Sequence, residues 1–527
     1  MKKSIVFMFI ISIFGILIGC QNEDTSVEPN DTEQEQEEEA GEVGEAEEEL
    51  VIVGQEIAVS LNTMEPLTAS YLRSIGAAEA LFEVNADGEV EPSLAKSVTQ
   101  IDDTTWEIEL RPDAQFWSGK VIDAHAVIAS LERSKEEDLQ ALPFLEELTF
   151  HEVDETTIRV ETLRERVPVP LNLSYYQTAI QNVEAEQDSI DTMDLTGMYK
   201  VVEFIPKQKM VLEINENYWG EQPTIKTVIH REISDEQTRL MSVLEGSSHI
   251  GLNIPVTSLD QLEQNENVGI SATPAANTQT IYLNLDQPQL QDVKVRQALS
   301  WALNREELVI LAAEGHSTPV TTWLGSNPVF EEAKNAVYDK FDADQAARLL
   351  DEAGWELESD GLRYKDEQPL TLNLRTWGGD KALGEALQNQ WTQVGIQVEV
   401  QHGDYSLIQT ARESGEWDAT IEAWSTFGSP LSLLEGQFSP EGSANYGGYD
   451  DPETNDLLTQ LSEASDDEES HELALKVNER VAEQAAVISL FPRPQITAVH
   501  HSVHGFEDHF RQFEHIVHAG LSLKDGE

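Results

Sequence analysis

A single cysteine, Cys20, is all the thiol chemistry in 527 residues, so the body of the chain can hold no intrachain disulfide, thiolate metal site or cysteine nucleophile. Stability has to come from an ordinary hydrophobic core. A chain this long can build one, divided on length alone into about three domains of typical size. Positive charge is scarce too: 33 Lys and Arg stand against 98 Asp and Glu, a formal net charge of -65 at pH 7. Such a field repels nucleic acid and anionic membrane. It reads as a surface adapted to a salty or alkaline exterior, where screening relieves self-repulsion. Catalytic signatures are missing: there is no Gly-x-Ser-x-Gly, no His-Glu-x-x-His, no Walker loop and no Gly-x-Gly-x-x-Gly. Paired carboxylates are so common here that they mark no glycosidase-type acid and base. After residue 20 there is no run long enough to span a bilayer, no repeat of fixed period and no internal linker rich in Gly, Ser or Pro.

What is present begins at the N-terminus. In MKKSIVFMFIISIFGILIGC, Lys2 and Lys3 precede an apolar run from Ile5 to Ile18 that ends in Leu17-Ile18-Gly19-Cys20. Charge order and length are those of a secretory signal rather than a membrane span. A small residue before the only cysteine matches a lipobox, in which the thiol is diacylated and becomes the new N-terminus; two acyl chains suffice for stable attachment. A plain signal peptide with an incidental cysteine is the alternative. Residues 21–49 contain no aromatic residue, Lys or Arg and read as a disordered acidic tether. The expected location is extracytoplasmic, on the outer face of the cell membrane, with the lipid anchor as the only membrane contact.

Beyond the tether, strands and helices are mixed throughout. The stretch from Leu50 opens an apolar strand, and Trp106-Glu107-Ile108-Glu109-Leu110 and Thr157-Ile158-Arg159-Val160 alternate as half-buried strands do. Asp123 is placed to cap AHAVIASLERS, Asp344 opens QAARLLDEAG with Gly354 as its stop, and Asp451 precedes Pro452 in PETNDLLTQLSEA. Asn85-Ala86-Asp87-Gly88-Glu89 resembles part of a calcium loop but lacks the closing bidentate Glu, and reads as a hairpin turn. Six of the thirteen histidines, at 500, 501, 504, 509, 515 and 518, fall in HHSVHGFEDHFRQFEHIVH. Imidazole is a common nickel and zinc ligand, yet this spacing follows no single helix face. A metal site and exposed strand-and-turn histidines both stay open, and no metal ligand is assigned.

Several segments in collinear order then carry a resemblance. PSLAKSVTQIDDTTWEIELRPDAQFWSGKVIDAHAVIASLER (92–133) is followed by Thr196-Gly197-Met198-Tyr199 and NENYWGEQPTIKTVIHREISDEQTRLMSVLEGSSHIG (215–251). IYLNLDQPQLQDVKVRQALSWALNREELV, DADQAARLLDEAGW, LNLRTWGGD, TFGSP and YGGYDDPETNDLL come next. Each is weak alone, but together they resemble the extracellular solute-binding proteins of peptide and nickel ABC importers, family 5. Their own physical reading is mostly structural: Tyr218 and Trp219 read as core packing, Arg111 as a partner for a carboxylate, and Val295, Ala298, Leu299 and Ala302 as a buried helical stripe beside Trp301.

The resemblance implies an α/β, two-lobed periplasmic-binding-protein-like fold (type II, cluster C) with an inserted third domain. Lobe I would take residues 50–92, 196–275 and 491–527, the inserted domain 93–195, and lobe II 276–490. Ligand would sit between the lobes and closure would bury it, with no bond made or broken and no cofactor. The implied partners are an ABC permease, its ATPase and a small ligand, with the chain a monomer. TFGSP stands where peptide-binding members resemble Gly-Asp-x-x-Asp-Pro and hold an α-ammonium, and it carries no acidic residue. Nickel-type members resemble Thr-Trp-Gly-Ala-Pro there, which puts Phe427 in place of a stacking Trp and Ser429 in place of Ala. Against this lean toward nickel chelates, Gln177 beside Tyr175 and Tyr176 stands where the nickel type carries an anion-gripping Arg, and Asn445 and Tyr446 stand where a His reaches the metal. Arg375, Trp377 and Trp424 complete the expected ligand-binding set. An oligopeptide, dipeptide or other small polar solute remains the alternative ligand. A sensor on the same fold, or a secreted hydrolase whose nucleophile and base are not found, are the competing classes.

Overall fold

The computed structural model describes residues 49–523 apart from 66, 139, 186–192, 335–336, 339, 465 and 512–513. The expected signal, Cys20 and the tether up to residue 48 lie outside the described residues.

Leu50, Val51, Ile52 and Val53 are all buried, so both faces of the strand Glu49–Gly54 are covered. An apolar run without alternation is how a strand looks when helices or loops pack on each side of a sheet. This strand pairs in parallel with Thr227–Glu232 and with Ile250–Gly251 inside a ten-stranded mixed sheet. Beyond Thr227–Glu232 the sheet ends in the antiparallel strands Lys209–Ile214 and Tyr199–Ile205. Its other end is Ala419–Ser425, Thr371–Trp377 and Gln397–Gly403.

Two long antiparallel strands, Val268–Leu283 and Val487–His500, join these ends, with partners from Val268 and His500 to Tyr282 and Val487. One end of the pair packs with Leu240, Val243 and Leu259, and the other with Leu299, Leu374 and Trp391. The same two strands therefore contribute to two separate cores. Between those cores Pro274 faces Pro494, Thr278 faces Pro492, and the register shifts. Proline has no N–H to donate, so the hydrogen-bond ladder is thinnest where the two halves meet.

A four-stranded antiparallel sheet, Ala95–Asp102, Thr105–Leu110, Thr157–Thr162 and Leu148–Asp154, stands apart with its own core. The helix Ala124–Glu137 covers it, burying Ala124, Val127 and Leu131 at helical spacing against Ile108, Ile158 and Val160.

Local signals act as the sequence predicts at most points. The Asp123 carboxylate accepts from the Ala126 amide at 2.8 Å, and Asp451 caps Pro452–Ser462. Asn85 Oδ1 accepts from the amides of Asp87 and Glu89, closing a hairpin between Phe82–Val84 and Val90–Pro92. Two expectations need correction. The helix Ala343–Glu352 is capped by Asp342, whose carboxylate takes the Gln345 amide at 2.7 Å, and Asp344 lies in its first turn. Arg111 donates to the Ser93 carbonyl at 2.6 Å and covers the Trp219 ring at 4.2 Å, with no carboxylate paired to it among the described residues.

Candidate functional site

The strand Ala419–Ser425 ends at Thr426, whose amide and hydroxyl both donate to the Ala276 carbonyl on a long connecting strand. Asn327 donates in turn to the Thr426 carbonyl at 2.6 Å. The TFGSP segment is thus pinned where the two halves meet. Phe427 follows, 4% exposed, in a small apolar cluster with Val84, Ala276 and Phe510. Its ring centre is 4.9 Å from that of Phe510.

Tyr175, 252 residues earlier in the chain, donates its hydroxyl to the Phe427 carbonyl at 3.0 Å. Its ring stacks on Phe144 with centres 3.9 Å apart. Burial pushes the Tyr175 phenol up, with Arg511 pulling the other way, so it stays a donor at neutral pH. Gly428 is the position that permits this approach, because a Cβ there would stand 2.5 Å from the Tyr175 hydroxyl oxygen. Ser429 caps the helix Pro430–Phe438, accepting from the Ser432 amide. Beside Tyr175, burial raises the Tyr176 phenol, and Gln177 Oε1 is buried without a hydrogen-bond partner among the described residues.

The remaining expected residues form a second group. Arg375 and Trp377 share one face of Thr371–Trp377, and Glu422 and Trp424 share a face of Ala419–Ser425. Trp377 meets Tyr405 edge to face at 4.9 Å, and the Tyr405 hydroxyl donates to Glu422. Arg412 pairs with Glu422 and lies 3.6 Å from the centre of the Tyr446 ring, which in turn is 6.2 Å from Trp424. Burial raises the Glu422 carboxyl and Arg412 opposes it. Arg375 donates to the Glu416 carbonyl, and its Nε and Nη1 are buried without a hydrogen-bond partner among the described residues. Asn445 belongs to the turn: its amide donates to the carbonyls of Ser439 and Tyr449, and its oxygen accepts from the Tyr449 amide.

Three residues at the first group escaped the sequence reading. Phe510, Arg511 and Glu514 come from the histidine-rich end, where attention to imidazole hides the interleaved aromatic and basic residues. Glu514, its side chain 1% exposed, lies between Arg511 at 3.2 Å and Arg73 at 3.3 Å. Burial pushes its carboxyl up, but the two guanidiniums outweigh this and hold it below the usual range. Arg73 also donates to the carbonyl of Ser174, next to Tyr175. Behind Arg511 lies a cavity of about 40 Å³ lined also by Gln495, Thr497, His509 and Glu514, room for a water and too small for a solute. His509 turns Nε2 toward the carbonyls of Val84 and Asn85 and accepts the Arg511 amide on Nδ1, so both nitrogens are committed. Among the described residues no three His, Cys, Asp or Glu are grouped to hold a metal.

Comparison with known proteins gives this geometry a context. The nickel-binding protein NikA of Staphylococcus aureus is 25% identical over 432 residues, 80% of this chain and 85% of that protein. The periplasmic oligopeptide-binding protein OppA of Escherichia coli is 23% identical over 461 residues, 78% and 81% of the two chains. The crystal structure of NikA from Brucella suis in complex with Fe(III)-EDTA superposes with a TM-score of 0.82 at 22% identity, over 90% of this chain and 100% of that one. The two-lobed α/β fold is therefore shared. The sequence model of bacterial extracellular solute-binding proteins, family 5 Middle, matches residues 89–445, more than half of the chain, and the protein belongs to that family.

Proposed function

We propose that this protein is the lipid-anchored, extracytoplasmic receptor of an ABC importer, which captures a small metal chelate, nickel foremost, between its lobes and presents it to the permease. In this reading residues 50–92, 196–275 and 491–527 form one lobe, 276–490 the other, and 93–195 an insertion, with attachment through Cys20. The observation that carries it is the meeting of Phe427, from the second lobe in this division, with Phe510 from the first, with Tyr175 of the insertion donating to the Phe427 carbonyl. Aromatic walls with a few fixed polar groups suit a compact organic ligand. The charge balance favours a chelate over a peptide's α-ammonium. TFGSP brings no carboxylate, and Glu514, the buried carboxylate beside Arg511, is already shared between Arg73 and Arg511.

Binding, not catalysis, is the work of such a site: ligand affinity that differs between open and closed forms moves the population toward closure. Mass spectrometry of ligand released from gently purified protein, with metal analysis of the same sample, tests the reading. Stoichiometric nickel with a small organic acid is the expected result. A co-purified peptide without metal would overturn the chelate assignment in favour of peptide uptake.

A further inference from the structure

Positive charge is scarce in this chain, yet Arg164 and Arg166 stand together in the loop that follows Thr157–Thr162, a strand of the four-stranded sheet. Both reach across to carboxylates on distant helices. Arg166 meets Asp467, 301 residues later, at 3.1 Å, in a helical turn that also carries Glu468 and Glu469. Arg164 bonds Glu147 at 2.6 Å and lies 4.0 Å from Glu435 on the helix Pro430–Phe438. Arg166 holds a φ of 63°, a backbone conformation that a residue with a side chain keeps only where the contacts around it compensate.

The two sides of this contact are fastened to different bodies. The insertion is tied to the first lobe, because the Trp117 carbonyl accepts from Lys200 at 2.6 Å and from Asn217 at 3.2 Å, and Arg73 donates to the Ser174 carbonyl. Leu434 and Phe438 beside Glu435, and Leu473 and Ala474 in the helix of Asp467, are buried instead with Tyr282 and Trp323 of the second lobe. Any parting of the lobes therefore pulls the two arginines away from Glu435 and Asp467. Burial raises the Glu435 carboxyl, Arg164 opposes this and Glu147 adds to it, so without Arg164 the closed form would set two carboxylates against each other. Exposed pairs count for little against unfolding, but an equilibrium between two folded forms is closely balanced, and the same pairs shift it by a few-fold each.

Resting on the two-lobed reading above, we propose that the insertion is a clasp: Arg164 and Arg166 engage Glu435 and Asp467 when the lobes close and lose them when the lobes part, so that the insertion, and not the ligand alone, sets how much of the protein is shut. Cys20 is the only thiol, so in full-length Cys20→Ser protein a pair of dyes can be placed at Val153→Cys in the insertion and Glu479→Cys in the second lobe, both exposed, and single-molecule energy transfer then reads the ratio of closed to open molecules. At about 0.02 M NaCl, Arg164→Glu with Arg166→Glu should lower that ratio by about 10-fold, and adding Glu435→Arg with Asp467→Arg should restore most of it. The difference from the unreversed protein should shrink toward 1 M NaCl, because screening removes charge effects and leaves packing. An unchanged ratio in the reversal, no recovery in the four-residue exchange, or a difference undiminished by salt overturns the clasp, as does one fixed distance in every variant. Should the reversal not fold, Arg164→Gln with Arg166→Gln decides: a smaller fall in the ratio supports the clasp and no fall overturns it. Ligand identity does not enter this readout, so a failed clasp leaves chelate capture standing, and a peptide found in place of a chelate leaves the clasp standing.

Discussion

His230 illustrates how far one side chain can set the pH response of this protein. It lies on Thr227–Glu232, 1% exposed, with neither ring nitrogen paired among the described residues, and burial lowers its pKa to about 4. The unfolded chain takes up the proton near the ordinary value of 6.5 and the folded one does not. Stability is therefore lost as pH falls from about 6.5 toward 4, by about 3 kcal/mol at the lower limit for this group alone. His230→Leu should raise the melting temperature at pH 7, because two unsatisfied polar atoms disappear, and should raise it further at pH 5. An equal shift at both pH values would show that His230 does not titrate as described. At this scale the sequence was legible where chemistry is local. The Asn85 turn depends on near neighbours, whereas Arg511 meets Tyr175 only through topology, 336 residues away, and no window of sequence contains both.

Helix ends are the element-scale counterpart. Asp451 Oδ2 accepts from the amide and hydroxyl of Thr454, while both its oxygens take a two-pronged contact from Arg480 at 3.0 and 2.9 Å. One carboxylate thus caps Pro452–Ser462 and ties it to Asp467–Glu483. Asp451→Ala should cost about 2 kcal/mol, roughly half from the cap and half from the ion pair, and Asp451→Asn, which keeps the cap, about half as much. Thermal midpoints at pH 7 check the order, and equal losses would mean that the cap contributes nothing. Caps of this kind could be read in advance because a helix start needs only an oxygen before the first turn; Asp342 rather than Asp344 was missed because DAD offers two within three residues. The long strands were harder to read. Pro274, Pro492 and Pro494 look like strand breakers, and only pairing with each other across the sheet accommodates them.

For the whole molecule, net charge outweighs individual ion pairs. Arg166 reaches Asp467 at 3.1 Å and Arg164 reaches Glu435 at 4.0 Å, but such exposed pairs contribute little each. Screening a surplus of 65 negative charges relieves far more repulsion than it removes attraction. The melting temperature should rise steadily between about 0.02 and 1 M NaCl, beyond any rise in neutral osmolyte of matched osmolarity. A flat or falling curve would mean that the surface is not under net repulsion. The family and the two-lobed plan were legible from collinear segments, since their order survives where single motifs are weak. Lobe contacts were not, because they depend on how the connecting strands cross.

That crossing also decides when the molecule can be finished. Val268 is held by His500, 232 residues later, so one half of the sheet waits for a segment far along the chain before its central ladder can close. Pairings this remote make assembly slow. A newly made chain therefore lacks this ladder until the later strand has been made.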